Sequence, residues 1–271
     1  HTLGEAGTIM SDEEKTEEGP PLIWEKRGHV AILTLNRPKA MNSWDPEMMD
    51  EHRRLLTEFE DDDDLRVLIY TGEGRAFSTG INIRKAPDYL YLNPKERTTK
   101  WITPNSIKLS KPTIAAINGF AIGGGLELAL GCDMRIMAES AKVGLSEVKL
   151  GALPGGGGTQ WLPRLIGLGD ALMMMLTGEP IDAAEAFRLR LVQKVVPDDQ
   201  LLDEAMKIAE AIAANGKTAV RLTKEVALLG LNASLADALW LEEIYFARNR
   251  VDAADEIKER LDAFQNAAKK K

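Results

Sequence analysis

Glycine-rich turns that follow short apolar strands constrain this chain more than any other feature. Val67-Leu68-Ile69-Tyr70 runs into Thr71-Gly72-Glu73-Gly74, and Thr113–Ile117 runs into Asn118-Gly119 and then Gly123-Gly124-Gly125. Lys142–Leu145 is followed by the four glycines Gly155–Gly158. Apolar runs this short, bounded by turn residues, read as buried strands. Glycine leaves the main-chain N–H groups of such turns open to approach, because no side chain stands in the way.

The surrounding text fills in an α/β order. Ile23–Lys26 and Val30–Leu35 flank a turn at Arg27-Gly28 and read as a hairpin. A helix spans about Asp45 to Asp61, with Asp45 as cap and Pro46 at its first position. Residues 84–109 read as helical and amphipathic, interrupted by Pro87, Pro94 and Pro104. Gly123–Gly125 opens a helix over Leu126–Leu130, and Met134–Met137 and Lys142–Leu145 are short strands. Beyond Gly169 the chain reads as helices at 170–177, 182–188, 199–214, 217–229, 235–250 and 253–268. Residues 1–9 resemble an expression scar ahead of Met10, and the acidic stretch 10–21 is expected to be disordered.

Composition excludes several classes. The 271 residues are 44% hydrophobic and 28% charged, a globular balance, with a net charge of −8. An acidic chain matches neither a nucleic-acid backbone nor an anionic membrane, and neither is expected as a partner. No apolar run reaches the ~18 residues of a spanning helix. The single cysteine, Cys132, excludes an internal disulfide and any multi-cysteine metal site, and fits a reducing cytoplasm. Of the three histidines, His29 reads as a hairpin residue and His52 as a helix-surface one. No metal is expected.

Common catalytic signatures fail. The phosphate loop and the dinucleotide fingerprint are absent. Ala76-Phe77-Ser78-Thr79-Gly80 resembles a nucleophile elbow, yet no histidine follows Ser78 to serve as base. Two carboxylates beside the glycine turns remain. Glu127 is flanked by apolar residues, so it is either on an exposed stripe or buried at a cost. Glu147 follows the strand ending at Leu145 and on pattern alone reads first as a surface loop acid, with a site acid as the alternative.

Four ordered motifs now resemble the crotonase (enoyl-CoA hydratase/isomerase) superfamily. They are Asn36-Arg37-Pro38-Lys39-Ala40-Met41-Asn42, Gly74–Gly80, Ile114 through Asp133, and Glu147 through Gln160. The resemblance covers about residues 22–265. It implies an α/β fold, a spiral of repeated β-β-α units over 22–198, and a C-terminal helical region at 199–271 that builds homotrimers or dimers of trimers. It implies an acyl-CoA thioester substrate, with no separate cofactor because coenzyme A belongs to the substrate. The implied oxyanion hole is the main-chain N–H of Ile81 and Gly124. Glu127 is implied as the base that holds water, Glu147 as the acid at the α-carbon, and Gly155 as a water-positioning amide. Lys39, Ala40, Met41, Thr79, Asn82, Ile83 and Arg84 match the loops that touch coenzyme A. Tyr89, Leu90, Trp101 and Ile102 match the acyl pocket.

Retention of both acids implies reversible hydration of a 2-enoyl-CoA. The alternatives within the superfamily are an isomerase, a decarboxylase or a CoA-ester hydrolase. A non-catalytic RNA-binding relative would need a lysine-rich helix, and here the matching helix ends in Glu58-Phe59-Glu60-Asp61-Asp62-Asp63-Asp64. The chain departs from the family pattern at Asn82, where an acid is usual, at Ser146 in place of proline, and at Trp161 in place of arginine. Asp255-Glu256-Ile257 also lacks the usual Glu-Gly pair.

Overall fold

A computed structural model describes residues 19–84 and 109–268. The expected residues 1–18, the acyl-pocket residues Tyr89, Leu90, Trp101 and Ile102, and the body of the 84–109 helix lie outside the described residues.

The apolar runs form a six-stranded sheet. Its strands are β1 (Leu22–Arg27), β2 (Val30–Leu35), β3 (Val67–Gly72), β5 (Thr113–Ile117), β7 (Met134–Ala138) and β10 (Lys194–Val196), in the order β1-β2-β3-β5-β7-β10. The β1–β2 hairpin is antiparallel, turning at Gly28-His29, one residue later than expected. The remaining pairs are parallel, in registers such as Ile69↔Ile114 and Ala116↔Ile136. All five residues of β5 are buried, as a parallel strand covered on both faces must be.

Of a second sheet, the sequence pattern showed only the strand at Lys142–Leu145. β4 (Ala76–Ser78), β6 (Phe120–Ile122), β8 (Lys142–Gly144) and β9 (Ile181–Asp182) pair in that order, antiparallel only at β8–β9. With two or three residues each, these strands are too short to show a period. Three times the chain lays one strand in the large sheet and the next in the small one: β3 then β4, β5 then β6, β7 then β8. This is the spiral of β-β-α units that the resemblance implies.

Helices close the core. α1 (Pro46–Asp61) is capped by Asp45, whose side chain accepts from the Met48 N–H. Its buried face comprises Met48, Met49, His52, Leu55, Leu56 and Phe59, so His52 is a core residue and the surface expectation is wrong. Met48, Leu55, Leu56 and Phe59 stand at helical spacing from position 52 and put it on the apolar stripe. α2 (Gly124–Gly131) is buried along its whole length. It begins two residues before the expected Leu126. α3 (Gly158–Ile166) and α4 (Leu168–Thr177) follow the glycine loop, then α5 (Ala183–Arg188). α6 (Leu201–Ala213) buries Leu201, Ala205, Ala209 and Ala213, a stripe at helical spacing, against the large sheet. α7 (Lys217–Gly230), α8 (Leu235–Asp252) and α9 (Ala254–Ala268) complete the chain. Gly19–Pro21 are tied down, since Asn36 and Arg37 donate to their carbonyls. No helix among the described residues is long and apolar enough to cross a membrane.

Candidate active site

The site is assembled where the small sheet meets the start of α2. β6 ends at Ile122, and Gly123 turns the chain with φ 57° and ψ −129°, a conformation open to glycine but not to a residue with a Cβ. α2 then begins at Gly124. Its first main-chain N–H groups have no intrahelical acceptor, and the helix dipole makes that end favourable for negative charge.

The β4–loop segment lies directly against this helix start. A Cβ at Gly80 would stand 2.8 Å from the Gly124 nitrogen, and Gly80 itself has φ +81°. Ile81 forms an isolated parallel bridge with Trp44. The Trp44 N–H donates to Gly80 O at 2.7 Å, and the Asn82 N–H donates to Trp44 O at 2.8 Å. Neither bond uses the Ile81 N–H. Among the described residues, no acceptor is bonded to the N–H of Ile81 or Gly124. Two unspent main-chain donors therefore flank one glycine contact, as an oxyanion hole requires.

Both glutamates reach the same place. Glu127, one turn into α2, is 2% exposed, so the buried alternative left open by its sequence context is the correct one. Its Oε1 accepts from the Gly156 N–H at 2.7 Å and from the Gly158 N–H at 2.8 Å. Burial raises its pKa, and the two N–H bonds oppose the rise. Glu147 opens a single 3-10 turn, Glu147–Leu150. Its Oε2 is buried and has no partner among the described residues. Its Oε1 lies 3.1 Å from where a Cβ of Gly123 would be. Burial, and secondarily the charge of Glu127, pushes the Glu147 carboxyl up to about 7.

The glycine loop does more than the sequence suggested. Gly156 and Gly158, not singled out from the sequence, are the donors that hold Glu127. A Cβ at Gly158 would come within 3.0 Å of Glu127 Oε1 and 2.8 Å of Leu145 Cδ1. Only glycine lets the main chain approach this closely. The signal was the density of glycine, but its target lies 31 residues away in sequence. Gly155, named from the resemblance, is exposed at the mouth of the loop.

The remaining residues group as follows. Lys39 and Ala40 lie in a 3-10 turn, Pro38–Ala40, which ends on Met41 with φ 55°. Thr79 meets this turn, since both its N–H and its hydroxyl donate to Met41 O. Asn82 Oδ1 accepts from the Arg84 N–H, and Ile83 and Arg84 are exposed beyond it. The structure thus joins the two segments at the contact of Thr79 with Met41. The departures are also placed. The Ser146 hydroxyl donates to Gly178 O at 2.8 Å, tying the Glu147 turn to the end of α4. The Trp161 ring packs beside Gly157, its Cδ1 3.0 Å from where a Cβ would stand. Cys132 is buried core, and burial pushes its thiol up to about 12. Among the described residues, no cluster of three or more His, Cys, Asp or Glu stands where it could hold a metal.

Comparison with known proteins agrees with this architecture. Residues 25–271 match the family described as enoyl-CoA hydratase/isomerase. The chain is 46% identical over 217 residues to (E)-benzylidenesuccinyl-CoA hydratase of Thauera aromatica, covering 78% of this chain and 83% of that one. It is 37% identical over 258 residues to the short-chain-enoyl-CoA hydratase of Clostridium acetobutylicum, covering 90% and 98%. Among solved structures, the enoyl-CoA hydratase of Bacillus anthracis superposes with a TM-score of 0.79 at 37% identity, covering 89% of this chain and 96% of that one. With two carboxylates and two free amides gathered at one helix start and relatives of this coverage, the chain belongs to the enoyl-CoA hydratase/isomerase family.

Proposed function

We propose that this protein is a hydro-lyase that adds water reversibly across the double bond of a 2-enoyl-CoA, with Glu127 and Glu147 as its acid–base pair. The observation that carries this reading is the contrast between the two acids. Glu127 has one oxygen locked by two N–H donors, which favours its charged form. Glu147 has a buried, unpartnered oxygen and keeps a proton up to about pH 7. Two carboxyls in such different surroundings, one held by N–H donors and one bare, are the arrangement that acid–base chemistry at neutral pH needs.

The steps follow from this contrast. The Glu127 carboxylate accepts a proton from water as the water oxygen attacks the β-carbon. The π electrons move onto the thioester oxygen, which rests on the N–H groups of Ile81 and Gly124. Glu147 then delivers its proton to the α-carbon, and the enolate collapses to the thioester. Each positioned proton transfer contributes about 10²–10⁴ in rate, and an oxyanion donor about 10²–10³. Gly155 offers its N–H to the water, and the segments Lys39–Met41 and Thr79–Arg84 receive the coenzyme A moiety.

As part of the same proposal, the chain assembles into trimers, alone or paired. α8 buries none of its side chains and leaves Leu235, Trp240, Phe246 and Val251 more than 60% exposed. Apolar side chains this exposed on more than one side of the helix support its being covered by further copies of this chain. Light scattering checks the mass.

The deciding experiment is a substrate panel. Crotonyl-CoA, longer enoyl thioesters and an aryl-substituted enoyl thioester are incubated with the protein, and the conjugated absorbance is followed. The aryl member is included because the Thauera relative is named for such a substrate. A product heavier by one water with the thioester intact is expected. No loss of absorbance with any member overturns the proposal, and unchanged mass would mark an isomerase instead.

A further inference from the structure

We propose that Trp44 and Ser78 are positioning residues for the oxyanion loop, setting the direction of the Ile81 N–H through a buried hydrogen-bond hub; this rests on the hydratase reading of the site. Trp44 pins the loop twice. Its main chain bonds to Gly80 O and to the Asn82 N–H, on either side of Ile81. Its indole N–H donates to Ser78 Oγ at 3.1 Å.

The Ser78 hydroxyl is saturated. It donates to Asn42 O at 2.8 Å and accepts from both the Trp44 indole and the Gly80 N–H, the latter at 3.2 Å. A hydroxyl has one donor and two acceptor sites, so every site is used. The Gly80 N–H, the amide that precedes the Gly80–Ile81 peptide plane, is thereby fixed from below. Gly80 also lies against Gly124, the second donor's residue, with no space for a Cβ. A shift of the Gly80 peptide would move both halves of the hole relative to each other.

The hub is anchored in the core. Ser78 and Asn42 are fully buried and Trp44 nearly so. The indole packs edge-on against His52, with ring centroids 5.0 Å apart, and His52 Nε2 pairs with the Tyr70 hydroxyl on β3 at 2.9 Å. A buried indole N–H needs a hydrogen-bond partner. Here its one polar atom reaches the hydroxyl that also holds the loop.

The test compares wild type with Ser78→Ala and Trp44→Phe. Thermal melting first establishes that each variant is folded. The C=O stretching frequency of a slowly reacting aryl-enoyl thioester is then recorded free and bound, alongside kcat and KM for hydration. Wild type is expected to lower the bound C=O frequency. In both variants the frequency should return part of the way to its free value, with kcat falling roughly 10- to 100-fold and KM changing by less than about 3-fold. A folded variant with an unmoved C=O frequency overturns the proposal, whatever happens to kcat. The spectroscopic arm needs binding but no turnover. A wild type that polarises the carbonyl without hydrating it would sink the hydratase reading and leave the positioning claim to be decided by the variants. A wild type that leaves the bound carbonyl at its free frequency would overturn the positioning claim.

Discussion

The charge of Glu127 helps keep Glu147 protonated, although the two acids are held in different ways. Glu127 Oε1 sits in a cradle of two main-chain N–H groups, whereas Glu147 Oε2 is buried without a partner. Burial accounts for most of the rise of Glu147 to about 7, and Glu127 adds to it. Removing the neighbouring charge in Glu127→Gln should therefore lower the Glu147 midpoint. Carboxyl carbon NMR on the folded variant reads that midpoint directly. An unchanged midpoint would show that the acids do not sense each other.

The same shift links stability to pH. Glu147 binds its proton more tightly folded than unfolded, since its pKa rises from 4.5 to about 7. Its contribution is fully present below the unfolded value and is lost as pH rises through the folded one. Glu127, also raised, acts in the same direction. Glu147→Gln should flatten the stability profile between about pH 5 and pH 8, and at the upper end exceed wild type by on the order of 1–2 kcal/mol, allowing for partial exposure. Urea unfolding across that pH range measures the difference.

Turnover should respond more sharply than stability. Glu127→Gln and Glu147→Gln each keep the side-chain shape and remove one proton-transfer group. Each is expected to lower kcat by about 10²–10⁴. Losses under tenfold in either variant would remove that residue from the acid–base pair.

Much of this site was legible in the sequence, and the limits have physical causes. β2, β3 and β5 announced themselves because their residues are buried on both faces. The Gly124 helix start was legible because three consecutive glycines rarely serve any purpose but close approach. β4, β6 and β9 were not legible: two or three residues carry no period, and they form strands only because the large sheet sets their neighbours. The cradle for Glu127 was missed for a related reason. Gly156 and Gly158 meet it across a separation in sequence that no local pattern encodes. The burial of His52 could have been read, since Met48, Leu55 and Phe59 share its helical face.

Away from the site, Lys111 secures the end of α1. It is 3% exposed, and its ammonium donates to Phe59 O and Asp62 O, both at 2.6 Å. The same ammonium stands 5.0 Å from the Phe59 ring centroid. A cation at a helix C-terminus satisfies carbonyls that lack intrahelical donors and complements the dipole. Lys111→Met should lower stability by about 1–3 kcal/mol by leaving Phe59 O without its donor, while Asp62 O keeps the Leu65 N–H. Denaturant unfolding checks it, and kcat of the folded fraction should stay at the wild-type value.

Two glycines separate site geometry from backbone strain. Gly158 begins α3, and a Cβ there would meet Leu145 Cδ1 at 2.8 Å, Glu127 Oε1 at 3.0 Å and Pro154 Cβ at 3.1 Å. Leu145 can shift its terminal methyl, but the carboxylate can yield only by leaving the N–H groups of Gly156 and Gly158. Gly151 has φ +73° and nothing within 4 Å of where its Cβ would be. Gly151→Ala therefore costs only left-handed strain, about 1–2 kcal/mol. Gly158→Ala should lower kcat about 100-fold from a displaced base and also melt below wild type, because the buried carboxylate leaves its two N–H donors. Gly151→Ala should lower the melting temperature alone, with kcat nearly intact. If Gly158→Ala retained full kcat, the cradle would have no part in positioning Glu127, and the contrast between the two acids would lose its structural cause.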